Sequence, residues 1–297
     1  MTSINTLMRF LFLSVFFLIL GCNSTPNRDD YAKHVNTMGK AFHGENKLAF
    51  SFTQSEGIDL RGIHNRDDST SSTPILYQGG AGLVGMFAQI GAHAAFINSS
   101  RNAKLAEEQE RADSKISPLI NLISGVSIFS LLDRTDSLFV KNNDVDNETL
   151  RLKPIFFSNE KMNQVILKLI AWLPDERGRT KNLRYQNMIQ VFSPILSENE
   201  HALFIDKDND DVKRMMARQL NTAIHILQGD LTGRYTGLNE PQNTFTILRN
   251  NRSKVVRGSV VDNRCGFQVV QDLHSWYIAF PTETPVQQVI LSSPEQC

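Results

Sequence analysis

The sequence predicts an α+β fold, with two helices packed on an antiparallel β-sheet and a carboxyl-terminal β-meander. Three patterns carry that expectation. Ala81, Gly85, Ala88, Ala92, Ala95 and Ser99 recur at alternating steps of four and three, so they share one narrow face of a glycine-rich central helix spanning about 79–112. Val212, Met215, Met216, Leu220, Ala223, Ile224 and Leu227 form the apolar stripe of a second, amphipathic helix over about 210–228. From Thr244 onward, short apolar or alternating runs separated by turn residues predict about five strands.

The amino-terminal segment comes first in the chain and has its own chemistry. Arg9 precedes an apolar run from Phe10 to Ile19, followed by Leu20-Gly21-Cys22. A cation, an apolar core of about ten residues and a small residue before a cleavage point fit a secretory signal and are too short for a spanning helix. The run has no polar face, so a half-buried amino-terminal helix does not fit it.

The ending Leu18-Ile19-Leu20-Gly21-Cys22 resembles the lipobox of bacterial lipoproteins, whose cysteine is lipidated and whose cut falls just before it. Leu20 stands where that family usually has a small residue, which keeps ordinary signal cleavage as the alternative. The resemblance implies lipidation of Cys22, and Asn23 in place of Asp implies the outer rather than the inner membrane of a Gram-negative cell. Three acyl chains would hold the protein permanently, since one alone holds marginally. The expected organisation is a signal peptide at 1–21, a polar tether at 22–46 and a single α+β domain at 47–297.

Removing residues 1–21 leaves 30 basic against 31 acidic residues. That balance argues against nucleic acid as a partner. With Cys22 taken by lipid, Cys265 and Cys297 remain, an even pair in an oxidising compartment. A disulfide between them would close a loop of about 30 residues and contribute about 3 kcal/mol. Two free thiols or a metal pair are the alternative, although no Cys or His sits at ligand spacing beside either.

Leu48 to Phe52 and Gly57 to Ile63 read as short strands around a turn, and Asn65 to Pro74 as a loop. The glycine-rich stretch from Tyr77 to Ile97 contains Gly80-Ala81-Gly82-Leu83-Val84-Gly85, which matches the dinucleotide fingerprint letter for letter. That site needs a second strand ending in an acid about 20 residues on. Residues 98–113 are instead strongly helical, which puts Glu107 and Glu108 on a helix face, and no cofactor is expected. The small-residue seam resembles the glycine-zipper segments of several outer-membrane lipoproteins, in which backbones approach closely. Five glycines between Gly79 and Gly91 weaken an isolated helix by roughly 1 kcal/mol each, so packing must hold it. Burial against the protein's own sheet, pairing with further copies and entry into the bilayer all satisfy that need. His93 has no visible partner.

Arg151 to Phe157 and Leu183 to Leu196 read as strands, whereas Asn163 to Trp172 fits either a strand or a short helix. Asp206 to Asp211 alternates carboxylates as a calcium loop does. Asp211 and Ala217, however, stand where that loop needs Gly and a bidentate Glu. Helix initiation is the better use of these acids, and no metal is expected. His225 falls outside the apolar stripe of the second helix. Thr244 to Leu248 and Lys254 to Val261 form a hairpin around Arg249-Asn250-Asn251-Arg252, since Asn tolerates positive φ. Phe267 to Val270, Trp276 to Phe280 and Val286 to Leu291 complete the meander. Arg249, Arg252, Lys254, Arg257 and Arg264 concentrate positive charge there, as a solvated face or as a contact for anionic head groups or glycan.

No nucleophile elbow, zinc-protease pair, phosphate loop or redox dithiol occurs in the sequence. The function expected is therefore a non-enzymatic binding or envelope-assembly role in an outer-membrane lipoprotein facing the periplasm, with self-association or an envelope protein as partner. Two alternatives stand beside it. One is a periplasmic hydrolase whose residues meet only in three dimensions. The other is a membrane-inserting or self-associating segment, by resemblance to conjugative surface-exclusion lipoproteins.

Overall fold

A computed structural model describes residues 48–53, 57–64, 103, 106–133, 139–140, 146–175, 183–201, 210–238, 240–249, 252–264 and 266–282. The signal peptide, Cys22, the tether, the seam residues Ala81, Gly85, Ala88, Ala92, Ala95 and Ser99, both Cys265 and Cys297, and the expected strand at 286–291 lie outside them.

The strands are β1 (Ala49–Phe52), β2 (Leu60–Gly62), β3 (Thr149–Ser158), β4 (Val165–Leu173), β5 (Tyr185–Phe192), β6 (Asn243–Arg249), β7 (Arg252–Arg264), β8 (Phe267–Asp272) and β9 (Tyr277–Pro281). The named helices are α1 (Ser117–Leu122) and α2 (Asp210–Leu231), with a 3₁₀ turn at Ile128–Leu131. Residues 106–115 are also helical. The fold is α+β.

Among the described residues, nine strands join one mostly antiparallel sheet in the order β1-β3-β4-β5-β9-β8-β7-β6, with β2 also on β3. The segments read as strands around a turn, β1 and β2, both run parallel to β3 in series, from Ala49↔Thr149 and from Leu60↔Phe156. At four and three residues they are too short to stabilise one another, and the ten-residue β3 offers both an edge. The meander enters the sheet through its last described strand, because β9 pairs parallel to β5 at Ile189↔Tyr277.

The segment that periodicity left between strand and helix is β4, and every residue of it is buried. Val165, Leu167, Leu169, Ala171 and Leu173 face the core beneath α2. Ile166, Ile170 and Trp172 face a second core with Ile155, Phe157, Met188, Phe192 and Ile278. A strand covered on both sides loses its alternation, which is why its period is silent. Lys168 lies among the second set at 3% exposure, with Nζ 5.2 Å from the centre of the Phe157 ring.

Helix α2 lies where its stripe predicts, with Val212, Met215, Met216, Leu220, Ala223, Ile224 and Leu227 buried and His225 exposed. Asp210 and Asp211 occupy its first turn, where the helix dipole favours acids. Its docking on the sheet is set by Gln219, 1% exposed, whose Nε2 donates to the carbonyl oxygens of Val165 and Val191 at 2.9 Å each. Asn221 ties the same helix to the 3₁₀ turn, donating to the Leu131 carbonyl at 2.9 Å.

Helical residues 106–115 pack on β2 through Gly62. The Gly62 amide donates to Asp113 Oδ1 at 2.6 Å, and Gln109 Nε2 donates to the Gly62 carbonyl at 3.0 Å. Glu107 and Glu108 sit on the outer side of this helix, each paired with Arg111 at 3.0 Å. A Cβ at position 62 would lie 2.2 Å from the Ala112 carbonyl oxygen, so only glycine permits this approach. Gly62→Ala should therefore cost roughly 2 kcal/mol or more, read as a lower urea midpoint with an unchanged slope. A midpoint within error of wild type would show that the helix does not dock on β2 in solution.

Candidate functional site

A connected polar cluster gathers at the carboxyl-terminal end of α2. Strand β5 presents Tyr185 and Asn187, two residues apart and so on the face beneath the helix. Strand β9 lies beside β5 and brings Tyr277 to the same face, while Asp230 occupies the last turn of α2. Tyr185 Oη donates to Asp230 Oδ2 at 2.6 Å, Asn187 Nδ2 to the same oxygen at 2.9 Å, and Tyr277 Oη to Oδ1 at 2.7 Å. Gln271 of β8 donates in turn to Tyr277 Oη at 3.1 Å.

A second tyrosine–carboxylate contact adjoins the first. Tyr235, in the turn after α2, donates to Asp262 Oδ2 of β7 at 3.2 Å and packs on Tyr277 with ring centres 5.3 Å apart. Its ring fits because residue 229 is glycine: a Cβ there would lie 2.7 Å from Tyr235 Cζ and Oη. A glycine inside a helix costs roughly 0.5–1 kcal/mol, accepted here for a close approach.

Electrostatics decide what this cluster can do. An acid at the carboxyl end of a helix meets the negative pole of the dipole, and three donors on Asp230 offset that repulsion. Burial, then the Asp230 charge, then the hydrogen bond to it push the Tyr185 hydroxyl well above its usual range. Tyr277 is raised by the same causes in the same order. Tyr235 is raised to about 12, first by burial and then by the Asp262 charge. The phenols therefore stay protonated at neutral pH and act as donors. The arrangement clamps α2, β5 and β9 through Asp230, with Tyr235 and Asp262 of β7 adjoining it.

The tyrosine–aspartate cluster was not among the residues singled out from sequence. Tyr185 and Asn187 stand two apart on a strand that also carries Gln186 and Gln190, so nothing local marked them out. Their partner is 43 to 45 residues away and is supplied only by the fold. Among the described residues, no group of three or more His, Cys, Asp or Glu side chains is placed to hold a metal ion. None of their helices is long and apolar enough to cross a membrane. Compared with protein-family models, curated proteins and solved structures, the chain matches none.

Each raised tyrosine contributes stability that is complete below the ordinary phenol value and is lost as pH climbs toward the folded value. For Tyr235 that window runs from 10.0 to about 12. Stability in urea should thus fall steeply across this range, and Tyr277→Phe should be weaker at neutral pH yet show a shallower alkaline fall. Parallel pH profiles for the two proteins would show that Tyr277 is not held protonated by burial and Asp230.

Proposed function

We propose that the chain is an outer-membrane lipoprotein facing the periplasm, anchored through lipid on Cys22, that works by binding or assembly rather than catalysis. One observation carries this reading, the segment from Arg9 to Cys22 with its apolar run ending in Leu20-Gly21-Cys22. The chemistry of the Asp230 cluster supports the second half of it, since protonated phenols saturating a carboxylate serve rigidity and not turnover. A rigid two-sided sheet behind a polar tether is suited to presenting a surface.

Anchoring is tested by metabolic labelling with radioactive palmitate followed by membrane fractionation. Wild type should carry label and sediment with outer membranes, and Cys22→Ser should lose both. Label that persists in Cys22→Ser, or wild type that is soluble without detergent, overturns the anchor.

The seam from Ala81 to Ser99 supplies the self-association surface in this reading, because its six small residues let a second backbone approach. Crosslinking of intact envelopes should trap multimers of wild type, and Gly85→Leu should abolish them. Equal crosslinking of the two proteins would remove the seam as that surface.

A further inference from the structure

We propose that the outer edge of β6 accepts an extended, acidic polypeptide segment as an added strand, an inference that rests on the binding reading above and names its surface. The two edges of the sheet are treated differently. At one end β1 has four residues, and its far side is bridged by Phe139 in parallel with Phe50, the Val140 amide donating to the Phe50 carbonyl at 2.9 Å. At the other end β6 runs seven residues, Asn-Thr-Phe-Thr-Ile-Leu-Arg, and no described residue pairs with its outer side.

The backbone pattern of that edge follows from the hairpin. Arg249 and Arg252 flank a two-residue loop, which makes them a hydrogen-bonded pair. Alternation from there commits the amides of Ile247, Phe245 and Asn243 to β7 and turns those of Leu248, Thr246 and Thr244 outward. Proteins usually blunt an exposed edge with proline, a bulge or an inward charge. Strand β6 has none of these between Asn243 and Leu248, and the bulge at Val260/Asp262 lies on β7.

Charge selects the occupant. Residues 243–264 carry five cations, Arg249, Arg252, Lys254, Arg257 and Arg264, and one acid, Asp262, which already receives Tyr235. Such an excess repels a second copy of the same hairpin and attracts carboxylates. The geometry agrees. Thr244 and Thr246 are exposed, and behind them on β7 stand Arg257, exposed, and Val255 at 66% exposure. An added strand would lie ~10 Å from β7, and the short threonines between leave Arg257 free to extend toward a Glu or Asp on it. Main-chain bonds supply attachment, and Arg257 and Val255 supply preference for alternating acidic and apolar side chains.

The test uses the full chain in detergent and fluorescence anisotropy of a fluorescein-labelled peptide of roughly ten alternating Glu and Val residues, with a Lys-for-Glu peptide as control. The acidic peptide should bind and the Lys peptide should not, with affinity falling as salt rises. Thr246→Pro removes one outward amide without breaking a β6–β7 bond and should weaken binding about tenfold or more, while Thr246→Val should bind as wild type. Arg257→Glu, a surface change that leaves folding intact, should weaken it about tenfold. Absence of acidic-peptide binding, equal binding of both peptides, or binding indifferent to Thr246→Pro and Arg257→Glu overturns the proposal. So does a dimer of the chain that Thr246→Pro dissolves, which would make a second copy the occupant. None of these results alters palmitate labelling at Cys22, so the edge can fail while the anchored reading stands.

Discussion

Everything in this fold depends on β4 being buried on both sides. Nine consecutive buried residues cannot be satisfied by one layer of helices, so the sheet must be covered above and below. On one side α2 does this, with Leu167 and Leu169 of β4 sharing a core with Leu220 and Ala223. On the other, Ile166, Ile170 and Trp172 share a core with Ile247 and Val256 of the β6–β7 hairpin. The meander therefore extends the same sheet and contributes apolar side chains to the second core. Burying side chains of this size is worth about 1.5–3 kcal/mol each, and both faces contribute.

Two polar groups show how that apolar frame is locked in register. Gln219 puts its amide between the carbonyls of Val165 and Val191, at the point where β4 begins and β5 ends. Asp230 does the same about three turns later, where the dipole disfavours an acid and three side-chain donors restore the balance. A helix held at its middle and at its carboxyl end by such hydrogen bonds cannot slide by a turn without orphaning them, and an orphaned buried group costs about 1–3 kcal/mol. The clamp thus fixes where β9, and with it the whole meander, meets β5.

Its consequence reaches the sheet edge. Because β9 is pinned beside β5, the hairpin of β6 and β7 ends at the far side of the sheet, where the exposed Arg257 of β7 stands opposite Thr244 of β6. The clamp saturates Asp230 with donors, whereas no described residue pairs with the outer side of β6.

The amino-acid sequence by itself determined the local elements. The stripe of α2, the Asn250-Asn251 hairpin, the strands at β3 and β5 and the acids that start α2 follow from period, turn chemistry and dipole, all of which act over a few residues. Tertiary structure decided the rest. Whether 165–173 is strand or helix was illegible because two-sided burial erases the period. The parallel placement of β1 and β2 depends on an edge of β3 about 100 residues away. The Asp230 cluster joins residues that nothing local relates, for hydrogen bonds between distant side chains leave no periodic trace, and only the packing of α2 on both halves of the sheet brings them within reach.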